Sequence, residues 1–554
     1  MTRLAVFLTT FLLLSAGVAP AVVTAGPATA GTAPVTGALP TAGPSLTAGV
    51  DSGSLTLTRS LSSAQSPSSI PSLSPTASTP QVASDSGSDS RLGCVDGVCH
   101  DDELGFDKPT NLTDEELDRL VDRSMARVEF LRGEQFASSV DVEVRSRESF
   151  RADSALTNAT RADSFEQWND QVWEALFIVG ENERSAEAID STVGAAVNGF
   201  YMPSEDQIVI VSSTPDEPTV SERTLVHELV HAWQDQQYDL TSSQYRAETQ
   251  DADLAVDGVV EGEAGYLEAR YEERCAAGEW DCLDEPATAG SSSDSPSNQG
   301  ILLTLLQPYS DGPAYIHEVR STEGWDGVDE RVASPPETTS TIIHGQPPEA
   351  ASLAVANEST DGWQRYPDEG ISGAETVGEA SIYVMFWYQA AEYGADTVDT
   401  DSLRQATVAY DQYNYSAAPS DGWVGDKLYP YTRGEDDGYV WTIQWESARD
   451  ATEFAEAYGG ILDAHDATET DSGAYVVSEG SFSGAYAVDV TDTRVTVVHA
   501  PTEAGLFELR PSLEPAAVDN GWGPTPLEDD VPGFGVAAAL AALVAFVAAG
   551  RRLG

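Results

Sequence analysis

The stretch "TLVHELVHAWQDQQYDL", residues 224–240, carries two of the seven histidines in a chain of 554 residues. His227 and His231 lie four positions apart around Glu228. Thr219 and Glu222 read as a T-x-x-E capping box that opens a helix just after Pro218. Leu225, Val226, Leu229, Val230 and Trp233 then form an apolar stripe along it. Residues four apart on a helix share a face about one turn apart. That spacing suits two imidazoles on one zinc ion, Zn2+, with Glu228 placed to serve a water molecule as general base. The plainer alternative is a solvated helix with two histidines and an acid.

Zinc that works on a water takes three protein ligands. Thirty residues on comes "DADLAVDGVVEGEAGYLEARYEER", residues 251–274, with Glu261, Glu263 and Glu268 as candidates. On a helix Glu263 points about 200° away from Glu261, so both cannot meet one ion. Glu261 follows Val259 and Val260 and precedes Gly262, which makes it the acid expected beside a closely packed helix. A buried lone carboxylate is costly unless a cation matches it. Glu268 shares the face two turns on and is the second choice; Glu263 reads as a solvated acid.

These two motifs together resemble the gluzincin branch of zinc metallopeptidases, in which HExxH is completed by the acid of an E-G-x-A helix. A wider resemblance, to a group of bacterial and archaeal metallopeptidase-like proteins, rests on "NGFYMP" (198–203), "VVEGEAGY" (259–266), the stretch 308–345, "GWVGDKLYPY" (422–431) and "VWTIQWESARDATEFAEAY" (440–458). It spans most of residues 195–460. The resemblance implies a zincin-like domain with His227, His231 and Glu261 as ligands, Glu228 as general base, and hydrolysis of a peptide or protein substrate by a zinc-activated water. It also singles out His344, after the Pro335–Pro336 turn, as a donor to the oxyanion, a role open to Tyr309 or Tyr315 as well; a structural turn residue is the alternative reading of His344. The rival reading is a catalytically silent surface glycoprotein with a structural zincin-like core. His317 reads as a surface residue, and His100, His465 and His499 carry no evident chemistry.

Charge narrows the setting. The chain holds 91 acidic and 28 basic residues, net −63, with lysine only at Lys108 and Lys427. The acids are scattered through patterned segments with 11 Trp and 20 Tyr, unlike a disordered acidic tail. The pattern resembles the salt-adapted surface of haloarchaeal proteins, whose self-repulsion molar salt screens. With no basic stripe, nucleic acid is excluded as a partner.

Both ends point to export. Residues 1–25 have Arg3, a short apolar core from Leu4 to Leu14 and a Val23-Thr24-Ala25 cleavage site, the pattern of a secretory signal. At the other end, residues 533–550 are an apolar run just long enough to span a bilayer, followed by Arg551 and Arg552. Pro532-Gly533-Phe534 ahead of that run resembles the PGF-CTERM sorting signal. The resemblance implies an archaeosortase-type processing enzyme that removes the tail and attaches a membrane lipid; a retained single-pass helix is the alternative. The protein is thus expected at the outer face of the cell membrane. Two close cysteine pairs, Cys94 with Cys99 and Cys275 with Cys282, fit disulfides in an exported protein, local pairing being the simplest of three connectivities. Sequons at Asn111, Asn158, Asn357 and Asn414 fit glycosylation.

The expected organisation is α+β. A Thr/Ser/Pro-rich linker (26–110) leads to a mostly helical zincin-like domain with a small strand pair (111–355), in which order begins near Asp114. A smaller α+β domain (356–510), a stalk (511–531) and the sorting or membrane segment (532–554) follow. "NGFYMPSEDQIVIVSS" (198–213) reads as a hairpin, and its second strand is the one expected to offer an edge to an extended peptide.

Overall fold

The computed structural model describes residues 91–149, 162–196, 198–212, 219–284, 298–349, 353, 355–406 and 408–513. The signal segment, residues 26–90 of the linker, the sequon at Asn158, residues 514–531 of the stalk and the PGF tail lie outside them. Among the described residues no helix is long and apolar enough to cross a membrane.

The described chain is α+β. It begins with a clip, β1 (Cys94–Val95) and β2 (Val98–Cys99), closed by the Cys94–Cys99 disulfide. Residues 91–110 are therefore folded, although their composition groups them with the linker. Val98 and Leu104 are buried, and the clip packs on α1 (Asp114–Arg132). Thr113 and Glu116 form the capping box of that helix, and Gly133 ends it in the left-handed conformation.

Next come β3 (Asp141–Ser146), α2 (Asp163–Ala175) and α3 (Ser185–Ala196), then β4 (Gly199–Met202) and β5 (Gln207–Ser212). The hairpin forms as the sequence predicts, with Asp206 at positive φ in its turn. The sheet order is β3-β5-β4. β5, expected to be the free edge, is the central strand, because the distant β3 pairs with it in parallel. β4 is the edge.

The helix α4 (Glu222–Tyr238) bears the HELVH stretch. Its N-cap is Ser221, which accepts from the Thr224 amide, and not Thr219. Glu222 is unavailable for a capping box because Arg123 and Arg127 of α1 hold it at 2.8 and 2.6 Å in the interior. The stripe Leu225, Val226, Leu229, Val230 and Trp233 packs with Leu120, Met125 and Val128 of α1 and with Tyr201, Ile208 and Ile210 of the small sheet.

Two long helices form the spine, α5 (Gln250–Ala276) and α6 (Gln299–Glu323). They cross through glycine. A Cβ on Gly262 would lie 2.6 Å from the Gly312 backbone, and one on Gly312 would lie 2.4 Å from the Gly258 carbonyl oxygen. The close packing expected beside Glu261 is this contact. The disulfide Cys275–Cys282 fastens the end of α5 to the following turn. Beyond α6 come α7 (Trp325–Ala333) and α8 (Thr339–His344), whose Ile342 fills the space beside Gly258.

The remaining chain adds β6 (Gln364–Arg365), α9 (Gly378–Tyr388), β7 (Trp423–Arg433), β8 (Asp436–Trp445), α10 (Ala448–Ala464), β9 (Thr468–Glu469), β10 (Tyr475–Val477), β11 (Gly484–Thr491), β12 (Arg494–Ala500) and α11 (Glu503–Leu509). Its strands make one antiparallel sheet in the order β6-β7-β8-β12-β11-β10-β9. Alternation sorts the two faces. Tyr439, Trp441, Ile443, Val495 and Val497 pack under α9 and α10, whereas Val440, Val498 and Ala500 pack under α11. The first of these cores also takes Trp168 and Trp173 of α2 and Ile301 and Leu303 of α6. A single apolar core thus draws on both sides of the sequence boundary at 355/356.

Of the described sequons, Asn111 and Asn357 are exposed; Asn414 is half-buried, and its side chain accepts from the Ser416 amide.

Candidate metal centre

One face of α4 and one of α5 meet over three side chains. Glu261 Oε2 lies 3.1 Å from His227 Nε2 and 3.2 Å from His231 Nε2. The imidazole centroids are 4.9 Å apart, and all three residues are about 1% exposed. Their ligand-type atoms converge on one point within 4.8 Å of one another.

The other nitrogen of each ring is held from behind. His227 Nδ1 is 2.7 Å from Glu268 Oε2, and Glu268 is paired in turn with Arg223 at 3.3 Å. His231 Nδ1 is 2.9 Å from Gln234 Oε1. Proton donation from each Nδ1–H to an oxygen leaves the Nε2 lone pairs facing Glu261. This is the tautomer and orientation a divalent cation requires of imidazole ligands. The donor set, two nitrogens and one carboxylate oxygen, fits zinc.

Glu268, the second-choice ligand from the sequence, orients His227 instead; lying two turns beyond Glu261, it reaches past it to the far side of the ring. Glu263 is not a solvated acid. It is fully buried, bonded to Arg132 at 2.6 Å and accepting from Gln234 Nε2 at 2.9 Å. Gln234 therefore spans from His231 to a buried ion pair and also donates to the Val260 carbonyl at 3.0 Å. Arg132 lies between the rings of Trp233 and Trp325, 4.5 and 4.2 Å from their centroids.

Taken as protein groups alone, the cluster is strongly polarised. Burial works against a charge on His227, but hydrogen bonds to Glu261 and Glu268 outweigh it and lift the imidazole to about 10. Burial likewise opposes ionisation of Glu261, yet the charge of His231 and the bonds from both rings bring its carboxyl down to about 2. A negative oxygen shared by two cation-seeking nitrogens is what a bound metal would replace with direct ligation.

Glu228 differs from its neighbours. It is fully buried, and neither carboxylate oxygen closes a hydrogen bond. It faces β4: a Cβ on Gly199 would lie 3.2 Å from Glu228 Oε1, and the Tyr201 amide is the one backbone group that approaches it as a donor. Burial, reinforced by the charges of Glu261 and Glu268, raises this carboxyl well above its ordinary range. Buried polar groups are nearly always bonded, so a buried acid with no side-chain partner is a candidate functional group.

Tyr309 of α6 completes the surroundings. Its ring stacks on His227 at 6.3 Å, and its hydroxyl hydrogen-bonds Glu261. Tyr315 instead packs in the apolar cluster with Val328 and Val332. His344 is not part of the cluster: its Nε2 is 2.7 Å from Glu379, in a separate group with Asp421. His317, expected on the surface, is half-buried between Tyr266 and Tyr410. Gln234 was legible as a residue three positions after His231, on the same helical face. Nothing beside Glu263 in the sequence showed its role, since its partner lies 131 residues earlier.

Against known proteins, a domain of unknown function (DUF8575) matches residues 364–510, which covers the whole seven-stranded sheet and α9 to α11 but not the cluster on α4 and α5. No curated protein and no solved structure matches the chain.

Proposed function

We propose that this chain is a cell-surface, gluzincin-like zinc metallopeptidase. The observation that carries the reading is Glu228, a buried carboxylate with no side-chain hydrogen-bond partner beside two inward-facing imidazole nitrogens and Glu261. A metal held only for structure has no need of such an acid. His227, His231 and Glu261 would hold the ion. Zinc, when bound, supplies Lewis-acid polarisation of the scissile carbonyl and acidifies a water molecule.

The chain's own residues do the rest. Glu228 takes a proton from the attacking water; as the water oxygen bonds the carbonyl carbon and the C–N bond breaks, it returns that proton to the departing nitrogen. Tyr309 is the hydroxyl donor at hand for a carbonyl oxygen gaining charge. The edge strand β4, lying over Glu228, is placed to pair with an extended peptide.

One observation favours a second reading. His227, Glu228, His231 and Glu261 are each 1% exposed or less, which suits a closed structural clip in a silent surface glycoprotein. Glu228→Gln separates the two. It should keep zinc and fold at high salt while peptide cleavage falls roughly a hundred- to ten-thousand-fold. Should zinc-loaded wild type cleave nothing in a broad peptide library, the peptidase reading is wrong and the clip stands.

The signal segment and the PGF tail support export and attachment at the outer face of the membrane. Mass spectrometry of membrane-extracted protein is expected to find a lipid-modified C-terminus and no peptide from residues 536–554. Recovery of Arg551 and Arg552 would establish a retained membrane helix instead.

A further inference from the structure

A second group of ligand-type side chains joins β12, within the segment matched by the domain of unknown function, to the end of α2 and the loop that follows it. His499, near the end of β12, is 1% exposed; the Ser483 backbone approaches its ring, but neither ring nitrogen closes a hydrogen bond of ordinary geometry. Its Nδ1 is 3.5 Å from Glu174 Oε1, too far for a hydrogen bond, and that oxygen also has no partner. Glu174 sits near the end of α2 with a side chain 5% exposed. Glu181, in the loop after α2, brings a third ligand atom within 4.8 Å of the other two.

The group backs onto a cavity of about 590 Å³ at the end of the seven-stranded sheet, where Glu181, Asp437, Ser483 and Gly484 are among the lining residues. Gly484 is the thin point of the wall. Any Cβ there would lie 2.3 Å from His499 Nε2, and the residue has φ +147. The chain thus keeps its imidazole next to the cavity by leaving out a side chain. No lysine or arginine lines this cavity, whereas Glu181, Glu435, Asp436 and Asp437 all do. Arg433 is drawn to Asp436, and Arg184 to Glu166 and Asp170. Packing alone does not explain the buried Glu174 Oε1 and His499 ring nitrogens, which lack partners and face an exposed Glu181 that accepts from the Ser483 hydroxyl at 3.2 Å; each buried atom of this kind costs about 1–3 kcal/mol if left unmatched.

We infer that His499, Glu174 and Glu181 form a second metal site, taking a divalent transition ion whose remaining positions open to the cavity. One imidazole nitrogen with two carboxylate oxygens favours an ion that accepts both donor types, such as Mn2+, Fe2+, Co2+ or Zn2+, over the all-oxygen preference of Ca2+ or Mg2+. The site uses none of the residues of the α4–α5 cluster, so either stands without the other.

Co2+ serves as the probe. The full chain, stripped by chelator, is titrated at high salt with excess Mg2+ to occupy the acidic surface. Wild type should bind two Co2+, Glu261→Gln one, Glu174→Gln or His499→Gln one, and Glu261→Gln with Glu174→Gln none. One Co2+ in wild type, lost in Glu174→Gln and kept in Glu261→Gln, would support this site and remove the first. Co2+ binding unchanged from wild type in both Glu174→Gln and His499→Gln overturns the inference. If those buried variants fail to fold, Glu181→Gln at the cavity mouth decides. It should weaken one equivalent by at least about tenfold, the loss that even an orienting partner causes, and an unchanged isotherm overturns the site.

Discussion

Glu263→Gln tests whether the interior behind the His227–His231–Glu261 cluster is organised by charge. The Arg132–Glu263 contact is 2.6 Å, with side chains 2% and 0% exposed. Removing one partner of such a pair costs about 3–5 kcal/mol, because the other charge is left buried and unmatched. Arg132 keeps Asp329, whose side chain is 40% exposed, so the lower end of that range, about 3 kcal/mol, is expected. The substituted amide cannot satisfy both neighbours. If its oxygen accepts from Gln234, its NH2 faces the Arg132 guanidinium; turned over, it puts two NH2 groups together. Equilibrium denaturation of chelator-treated protein at fixed high salt reads the loss as a lower midpoint with unchanged slope. The loss should vary little with further salt, since buried charges are screened weakly. Zinc stoichiometry should stay at the wild-type value, because His231 retains Gln234. A loss under about 1 kcal/mol, the range of exposed pairs, would mean that Glu263 is solvated after all and refute the reasoning.

Glu268→Ala removes the oxygen that fixes the His227 ring, so zinc affinity measured by competition with a chromophoric chelator should fall about 10–100-fold with fold intact. Equal affinity in variant and wild type would show that Glu268 orients nothing. For pH dependence, the informative group is Glu375, remote in sequence from the cluster. Burial lifts its carboxyl from the ordinary 4.5 to about 8, against the hydrogen bonds it accepts from the Gln250 and Thr376 amides and with Asp426 and Lys427 nearby. A carboxyl raised in the fold binds its proton more tightly there than in the unfolded chain. Its contribution is therefore complete below about pH 4.5 and lost as pH rises through about 8. Across that window wild type should lose stability relative to Glu375→Gln by a few kcal/mol, each unit of pKa being worth about 1.4; parallel stability–pH curves for the two would rule this out.

What the sequence disclosed about the cluster was what helical periodicity encodes. His227, Glu228 and His231 follow from the turn of one helix, and Glu261 could be chosen over Glu263 because a glycine beside it signals close approach of another helix. The hairpin was legible from alternation. Its position in the sheet was not, since the parallel partner β3 begins 66 positions before the Gln207 of β5 with which it pairs. The seven-stranded order was hidden for the same reason: β12 inserts between β8 and β11, a choice made by long-range pairing. The errors at Thr219, Glu222 and Glu263 have a common origin, and it was visible. Arg123, Arg127 and Arg132 lie on one helix among Leu120, Val121, Met125 and Val128, the residues that form its apolar stripe. In a chain with 28 basic residues against 91 acids, an arginine placed in an apolar stripe has no need to be there for solubility. It is there to neutralise an acid that the core has taken in. Arg123 and Arg127 answer Glu222, at the start of the helix that bears the histidines, and Arg132 answers Glu263, on the helix that bears Glu261. Both helices of the His227–His231–Glu261 cluster are thus fixed to α1 by buried charge, and the scarce arginines mark where those attachments fall.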